Sequence, residues 1–294
     1  MELVIGIDGG GTSCRAALAT AAGEVLGRGR SGAANIMTDL QGARASIVEA
    51  ARLAFVDAGR DPSLIASAGA VLGLAGTNVG GFKQQLLELL PFRESLVESD
   101  ALIALNGALG DHDGAIAIIG TGSIFMSRRG DRLHTIGGWG FMLGDLGSGA
   151  RLGRDLLQET LLAHDDIHPG SALTHAVLER FAGDPRNIVK FGAASKPGEF
   201  AAFAPMVLDY AGRSDEAALR VLRRAVGDVE EALAALKLKP GDRLCLHGGL
   251  ASLYAPYLSQ QYRRLIKPPL QDALGGAVSM AVRHFGKGRN AAHG

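Results

Sequence analysis

Three short segments of the chain carry residue types that could handle a phosphorylated ligand. Asp8-Gly9-Gly10-Gly11-Thr12 ends an apolar run, Leu3–Ile7. Consecutive glycines let backbone N–H groups turn toward an anion at close range, and Thr12 adds a hydroxyl donor. Asp8, at the strand end, could orient a water on a phosphate-bound Mg²⁺. Gly120-Thr121-Gly122-Ser123 ends a second apolar run, Ala115–Ile119. One such turn reads equally well as a plain β-turn; a matched pair reads as a polyphosphate clamp. The spacing fits neither GxGxxG nor GxxxxGK[ST], so the Rossmann and P-loop readings fail. The third segment is Ser99-Asp100-Ala101, between a strand and a helix. Ser99 or Asp100 could cap the helix, and Asp100 could instead be a general base that takes a proton from a substrate hydroxyl as a phosphoryl group arrives.

Other polar residues sit in glycine-rich loops. Asn35 follows the small-residue stretch Ser31–Ala34. Gly137-Gly138-Trp139-Gly140-Phe141 holds the sole tryptophan, and Gly144-Asp145-Leu146-Gly147 follows it. Asp145 could bind sugar hydroxyls or serve as a cap or turn. His247-Gly248-Gly249-Leu250-Ala251 reads as strand, double glycine and helix, suited to close backbone approach to a base and ribose, with His247 itself structural.

The elements that must position these residues form a repeat. The first unit reads as strand, glycine turn, strand (Cys14–Ala19), turn at Ala22–Glu24, strand (Val25–Arg30), a helix over residues 39–58, a buried strand (Ala68–Leu74), a short helix (Gly81–Leu90), a strand (Ser95–Glu98) and a helix from Ala101 to about Leu109. The pattern restarts at Ala115, with strands Ile124–Arg128 and Leu133–Ile136, and the two glycine turns lie 109 residues apart. An internal duplication of one α/β unit is the simplest account. Beyond Gly149 the reading is mainly helical. Leu222, Val226, Val229, Leu233 and Leu236 mark one face of a helix over 215–236. A strand Arg243–Leu246 and helices near Ala251–Ile266 and Asp272–Phe285 complete the chain, with a frayed tail over 286–294.

Composition narrows the function classes. At roughly 150 residues per domain, 294 residues suggest two domains. Thirty basic and thirty acidic residues balance, so no global field is present to hold nucleic acid or an anionic membrane. With 47% hydrophobic and 20% charged residues the chain is expected to fold. The 42 glycines cluster in short runs, without a collagen period. Cys14 and Cys245 make no CxxC, which excludes a zinc framework or disulfide scaffold. The opening residues read as no signal peptide and no long apolar span is present, so a cytoplasmic protein is expected.

Taken together, Gly6–Ala16, Ser31–Met37, Gly73–Thr77, Ser99–Ala101, Gly120–Ser123, Gly137–Gly149 and Lys267–Ala277 resemble the sugar-kinase/actin-like ATPase superfamily. Within it they resemble the BadF/BadG/BcrA/BcrD-type group, on the side of the bacterial glucosamine and N-acetylglucosamine kinases. The resemblance covers essentially the whole chain. It implies an α/β, two-domain actin-like ATPase fold, built of ribonuclease H-like duplicated βββαβαβα units, with a central cleft. An N-terminal sugar/phosphate domain is expected over 1–110 plus a C-terminal helix at about 276–294, and a nucleotide-binding domain over 111–275.

The resemblance also assigns roles. Gly10, Gly11, Thr12, Gly120, Thr121 and Gly122 would hold ATP phosphates. Gly248, Gly249 and Ala251, with Ala211, would line the nucleoside. Asn35, Gly76, Asp100, Gly138, Trp139, Gly140 and Asp145 would line the sugar, with Asp100 also the catalytic base. Mg²⁺ would be held chiefly by ATP and waters, with Asp8 indirect. The expected reaction is ATP-dependent phosphorylation of the 6-hydroxyl of D-glucosamine, with N-acetylglucosamine as the alternative. Glucosamine's ammonium would favour a nearby carboxylate, and the acetyl sugar would need room for a methyl and a donor for its carbonyl. Some members of the group activate dehydratases through a cysteine-held iron–sulfur cluster, but neither cysteine here has that context. A related kinase/repressor group has a cysteine-rich zinc site, absent here. A non-catalytic sugar sensor and an actin-like filament are the remoter readings. The expected partners are a small-molecule amino sugar, no nucleic acid and no membrane, in a monomer or homodimer.

Overall fold

The computed structural model describes residues 3–77 and 81–286. Residues 287–294, which hold the end of the expected C-terminal helix and most of the expected frayed tail, lie outside the described residues. The chain divides into two compact units, Met1–His112 with Pro268–Gly294, and Asp113–Lys267.

The first unit opens with an antiparallel meander of β1 (Leu3–Gly9), β2 (Cys14–Thr20) and β3 (Val25–Ser31). After α1 (Leu40–Asp57), β4 (Gly69–Leu74) joins β1 in parallel. A short α2 (Phe82–Leu87) leads to β5 (Glu94–Ser99), parallel to β4, and on to α3 (Asp100–Leu109). The strand order is β3-β2-β1-β4-β5. β1 is apolar from Leu3 to Ile7 because both its faces are covered. Leu3, Ile5 and Ile7 pack with Ile47, Ala51 and Phe55 of α1. Val4, on the opposite face, packs with Ile103 of α3 and with Ala277 and Ala281. Asp39 starts α1, its carboxylate accepting the Gly42 N–H at 2.9 Å.

The second unit repeats the meander with β6 (Gly114–Ile119), β7 (Ser123–Arg129) and β8 (Arg132–Gly137). Six helices follow: α4 (Gly149–His164), α5 (Ala172–Arg180), α6 (Pro185–Ala194), α7 (Pro197–Ala201), α8 (Ala204–Gly212) and α9 (Glu216–Ala235). β9 (Arg243–His247) then joins β6 in parallel, giving the order β8-β7-β6-β9. This is the order of the first four strands of the first unit, so the duplication read from the two glycine turns is present in the topology. Where the first unit has β5, the second has a single parallel bridge between Leu244 and Ile266. The apolar stripe of α9 is buried as its spacing requires, against Ala115, Ala117 and Ile119 of β6 and the helices around it.

The segment 251–266, expected as one helix, is broken. α10 (Ala251–Tyr254) passes into a 3-10 turn at Ala255–Tyr257, and α11 (Gln260–Arg263) starts anew. Pro256 has no N–H to continue the ladder, and Leu258 is extended. The chain then returns to the first unit from Pro268, ahead of the expected 276. α12 (Ala273–Phe285) is capped by Asp272, which accepts the Gly275 N–H at 2.9 Å. No helix among the described residues is long and apolar enough to cross a membrane.

Candidate active site

In the first unit the parallel strands end level with one another. The register pairs Gly9 with Leu74 and Leu74 with Ser99. Asp100 therefore lies one residue past the same edge that carries the Gly9–Thr12 turn, the edge where open α/β sheets bind ligands. Main-chain bonds stitch the loops along it. The Ala34 N–H donates to Gly10 O and the Ala75 N–H to Gly9 O, both at 2.9 Å, and the Ile36 N–H donates to Ala75 O at 3.3 Å. These bonds bring Asn35 and Gly76 to the glycine turn. Asn35 Oδ1 accepts the Met37 N–H at 3.0 Å, which leaves its amide NH₂ as the donor end of the side chain. A methyl at Gly76 would come within 2.7 Å of that same Oδ1, and Gly76 has φ +85°. A cavity of about 550 Å³ takes in Gly11, Asn35, Thr38 and Asp39. Thr12 is exposed.

The structure decides which residue caps α3. Ser99 does so, its Oγ accepting the Leu102 N–H at 3.2 Å. The Asp100 carboxylate accepts the adjacent Ala101 N–H at 2.8 Å and remains open to solvent on one side. Protein crowded round the remainder desolvates it and raises its pKa. The Ala101 N–H opposes this, and the nearby Asp8 carboxylate adds to it. Asp8 itself is held by Arg15, whose Nη2 and Nε approach Oδ2 at 2.5 and 3.2 Å, while Nη1 reaches the Asp272 cap of α12 at 2.9 Å.

In the second unit the equivalent turn is braced from behind. The Gly149 N–H donates to Gly120 O at 2.8 Å and the Ala150 N–H to Thr121 O at 3.1 Å, tying the turn to the start of α4. Asp145 is 8% exposed and has φ +57°, and its Oδ1 accepts the Ser123 N–H at 3.3 Å. A methyl at Gly122 would lie 3.0 Å from Asp145 Oδ2. Burial raises the Asp145 carboxyl pKa, against the Ser123 N–H and the Arg151 charge. Behind it, Arg151 donates to Gly144 O at 3.2 Å and approaches Asp228 at 3.5 Å, and the buried Tyr254 hydroxyl donates to Gly147 O at 2.8 Å.

Gly138, Trp139 and Gly140 are exposed, Trp139 at 82%. Gly248 and Gly249 lie open at the end of β9. Ala211 and Ala251 are buried in the core of the second unit. The cavity of about 660 Å³ beside Gly120, Thr121 and Gly249 is walled instead by residues earlier on α8 and by Leu250 and Leu253. Burial lowers the His247 pKa, which keeps its ring neutral. Both cysteines are buried thiols outside any disulfide, and burial raises both, Cys14 to about 12, which works against thiolate character.

Arg15, Arg151, Asp228 and Tyr254 carry no local sequence signal. Their partners lie far along the chain: Arg15 and Asp272 are 257 residues apart, Tyr254 and Gly147 are 107. Among the described residues no group of three His, Cys, Asp or Glu side chains could cage a metal. A lone carboxylate such as Asp8 suits a water of a largely hydrated Mg²⁺ rather than an all-protein site.

The model of the BadF/BadG/BcrA/BcrD ATPase family matches residues 5–278. Glucosamine kinase GspK of Vibrio cholerae is 36% identical over 285 residues, covering 96% of each chain. A crystal structure from Chromobacterium violaceum, described as that of a candidate N-acetylglucosamine kinase, superposes with a TM-score of 0.83 at 31% identity over 96% of this chain and 99% of that one. A ROK family glucokinase from Streptomyces griseus, at 18% identity, a TM-score of 0.54 and coverage of 96% and 99%, shares the fold alone. The duplicated α/β fold is that of the actin-like sugar kinases, and the chain belongs to the BadF/BadG/BcrA/BcrD ATPase family.

Proposed function

We propose that the chain is an ATP-dependent amino-sugar kinase that phosphorylates the 6-hydroxyl of D-glucosamine. One observation carries the reading. Asp100 stands at the C-terminal edge of three parallel strands, beside a glycine turn, and Ser99 relieves it of capping. A carboxylate with a raised pKa, free of structural duty, is what a general base needs. Asp100 takes the proton as the sugar oxygen attacks the γ-phosphorus in line, and ADP leaves. Most of the rate comes from positioning and charge stabilisation.

The first unit, as sugar/phosphate domain, contributes Asn35, Gly76 and the Gly10–Thr12 turn. The second, as nucleotide domain, contributes Gly120–Gly122, Gly248 and Gly249 for ATP, and Gly138–Gly140 and Asp145 toward the sugar. The buried Asp145 would act through a narrow exposed face or by holding the turn. Mg²⁺, when bound, neutralises phosphate charge, and Asp8 would hold one of its waters. An enzyme that draws on ATP and a free sugar would work in the cytoplasm.

Identity of 36% with a glucosamine kinase supports glucosamine, while the Chromobacterium violaceum structure favours the acetyl sugar. A coupled ADP-release assay with Mg·ATP and glucosamine, N-acetylglucosamine, glucose or no sugar decides. Sugar-dependent release that collapses in Asp100→Asn is the expected result, with glucosamine ahead in kcat/KM. Release indifferent to every sugar would turn the reading to an ATPase activator, and no release at all to a sensor.

A further inference from the structure

The 660 Å³ cavity beside the Gly120–Thr121 turn has an unusual wall for a site that would receive a nucleobase. Its other lining side chains are those of Ala201, Ala204, Pro205, Leu208, Leu250 and Leu253, and none carries a hydrogen-bonding atom. Part of the main chain beside it is already spent. The N–H groups of Gly149, Leu250 and Leu253 are already engaged by the carbonyls of Gly120, Ile119 and Leu250, and Pro205 has no N–H. Pro205 and Leu253 are exposed, so the edge of a base lying against them keeps its water.

Such a wall reads area and shape. Adenine and guanine are near in size and differ in the donors and acceptors along one edge. A site that hydrogen-bonds its ligand rejects the wrong pattern by roughly 10⁴–10⁵-fold, whereas an apolar pocket separates near-isosteres by only about 10–200-fold. We infer that this protein selects its phosphoryl donor by the triphosphate and the size of the base, and that GTP serves beside ATP. The inference rests on the kinase reading above and adds to it that this cavity, beside the Gly120–Thr121 turn and Gly249, receives the base. The reaction is otherwise unchanged: the γ-phosphoryl group passes to the sugar oxygen, the hydroxyl proton to Asp100, and GDP leaves in place of ADP. UTP, whose single ring leaves part of the cavity unfilled, follows behind both purine nucleotides.

The test measures sugar phosphate directly, by chromatography, with ATP, GTP and UTP at saturating sugar. In parallel, calorimetry gives Kd for ADP and GDP without sugar. The expected result is a GTP kcat/KM and a GDP Kd within about 100-fold of the adenine values, with UTP lowest. A preference for adenine beyond that in either measurement overturns the inference. The binding arm decides even if no sugar is phosphorylated, and that outcome would sink the kinase reading alone. Leu208→Ala, at a half-buried position in the wall, should weaken ADP and GDP by the same factor. Unchanged binding of both would place the base elsewhere and overturn the assignment of this cavity.

Discussion

The two glycine turns end equivalent strands of a repeated sheet, yet the protein holds them by opposite means. In the first unit the Gly9–Thr12 turn is stitched by main-chain bonds to the loops after β3 and β4, and the edge carries two carboxylates, the Arg15-paired Asp8 and the open Asp100. In the second unit the Gly120–Ser123 turn leans on one buried carboxylate, Asp145, and on the start of α4, and the space beside it is apolar. One scaffold thus presents charge that can take a proton. The other presents amide donors and a wall that can shelter a base. The fifth strand separates them further, because β5 delivers Asp100 and the second unit retains only the Leu244–Ile266 bridge at that position.

The hardest test of this contrast is Asp100→Asn. Turnover should fall by about 10²–10⁴-fold while nucleotide affinity stays at the wild-type value. Stability should hold or rise slightly. A carboxyl whose pKa is raised on folding stabilises the folded state below its ordinary pKa, and that contribution is lost as pH climbs through the raised value. At neutral pH the charged form is the one the fold disfavours, and Asn removes it. The same shift predicts an acid limb in kcat above the ordinary carboxylate range, with activity falling as pH drops and Asp100 takes up a proton. A variant with near wild-type kcat, or a thermal midpoint that drops by several degrees, would show that Asp100 is structural.

The second unit should respond in the reverse sense. Asp145→Ala strands the Ser123 N–H and puts a methyl-bearing residue at φ +57°, at a cost of about 1–3 kcal/mol for the unmet donor alone. Asp145→Asn keeps an acceptor and a residue that tolerates this backbone conformation. Thermal unfolding should separate the two, with Ala well below Asn. Equal midpoints would mean that the carboxylate does not brace the turn. Tyr254→Phe is milder. Loss of the 2.8 Å bond to Gly147 O should cost about 1 kcal/mol, seen in the denaturant midpoint, and raise KM for nucleotide more than it lowers kcat.

Much of the first unit was legible from its sequence because its order is local. Apolar runs broken by glycine gave the strands, apolar spacing gave the helix over 39–58, and the paired turns revealed the duplication. What escaped is long-range or apolar. Nothing near Pro205 or Leu208 distinguishes the wall of a cavity from a core, and Ala211, three residues past Leu208 on the same helix, faces the core instead. The bracing of Asp145 by Arg151 and Tyr254 depends on segments that only the fold brings together. Residues 251–266 misled for the opposite reason. Their composition is helical, and one proline with the extended Leu258 outweighs it.

The smallest effect concerns Arg15, which joins Asp8 to the cap of α12. Its side chain is 40% exposed and those of its partners are 19% and 54% exposed, so water screens both pairs. Arg15→Ala should therefore cost less than about 1 kcal/mol, as exposed ion pairs do. That loss should shrink further in 1 M salt, where charges more than about 3 Å apart are screened. Comparing thermal midpoints at low and high salt checks this. Tyr254→Phe, a neutral bond in a buried place, should lose as much at either salt concentration. If Arg15→Ala proved equally indifferent to salt, its alkyl stem rather than its charge would be holding the first turn, and the contrast between a charged edge and a braced one would reduce to packing in both units.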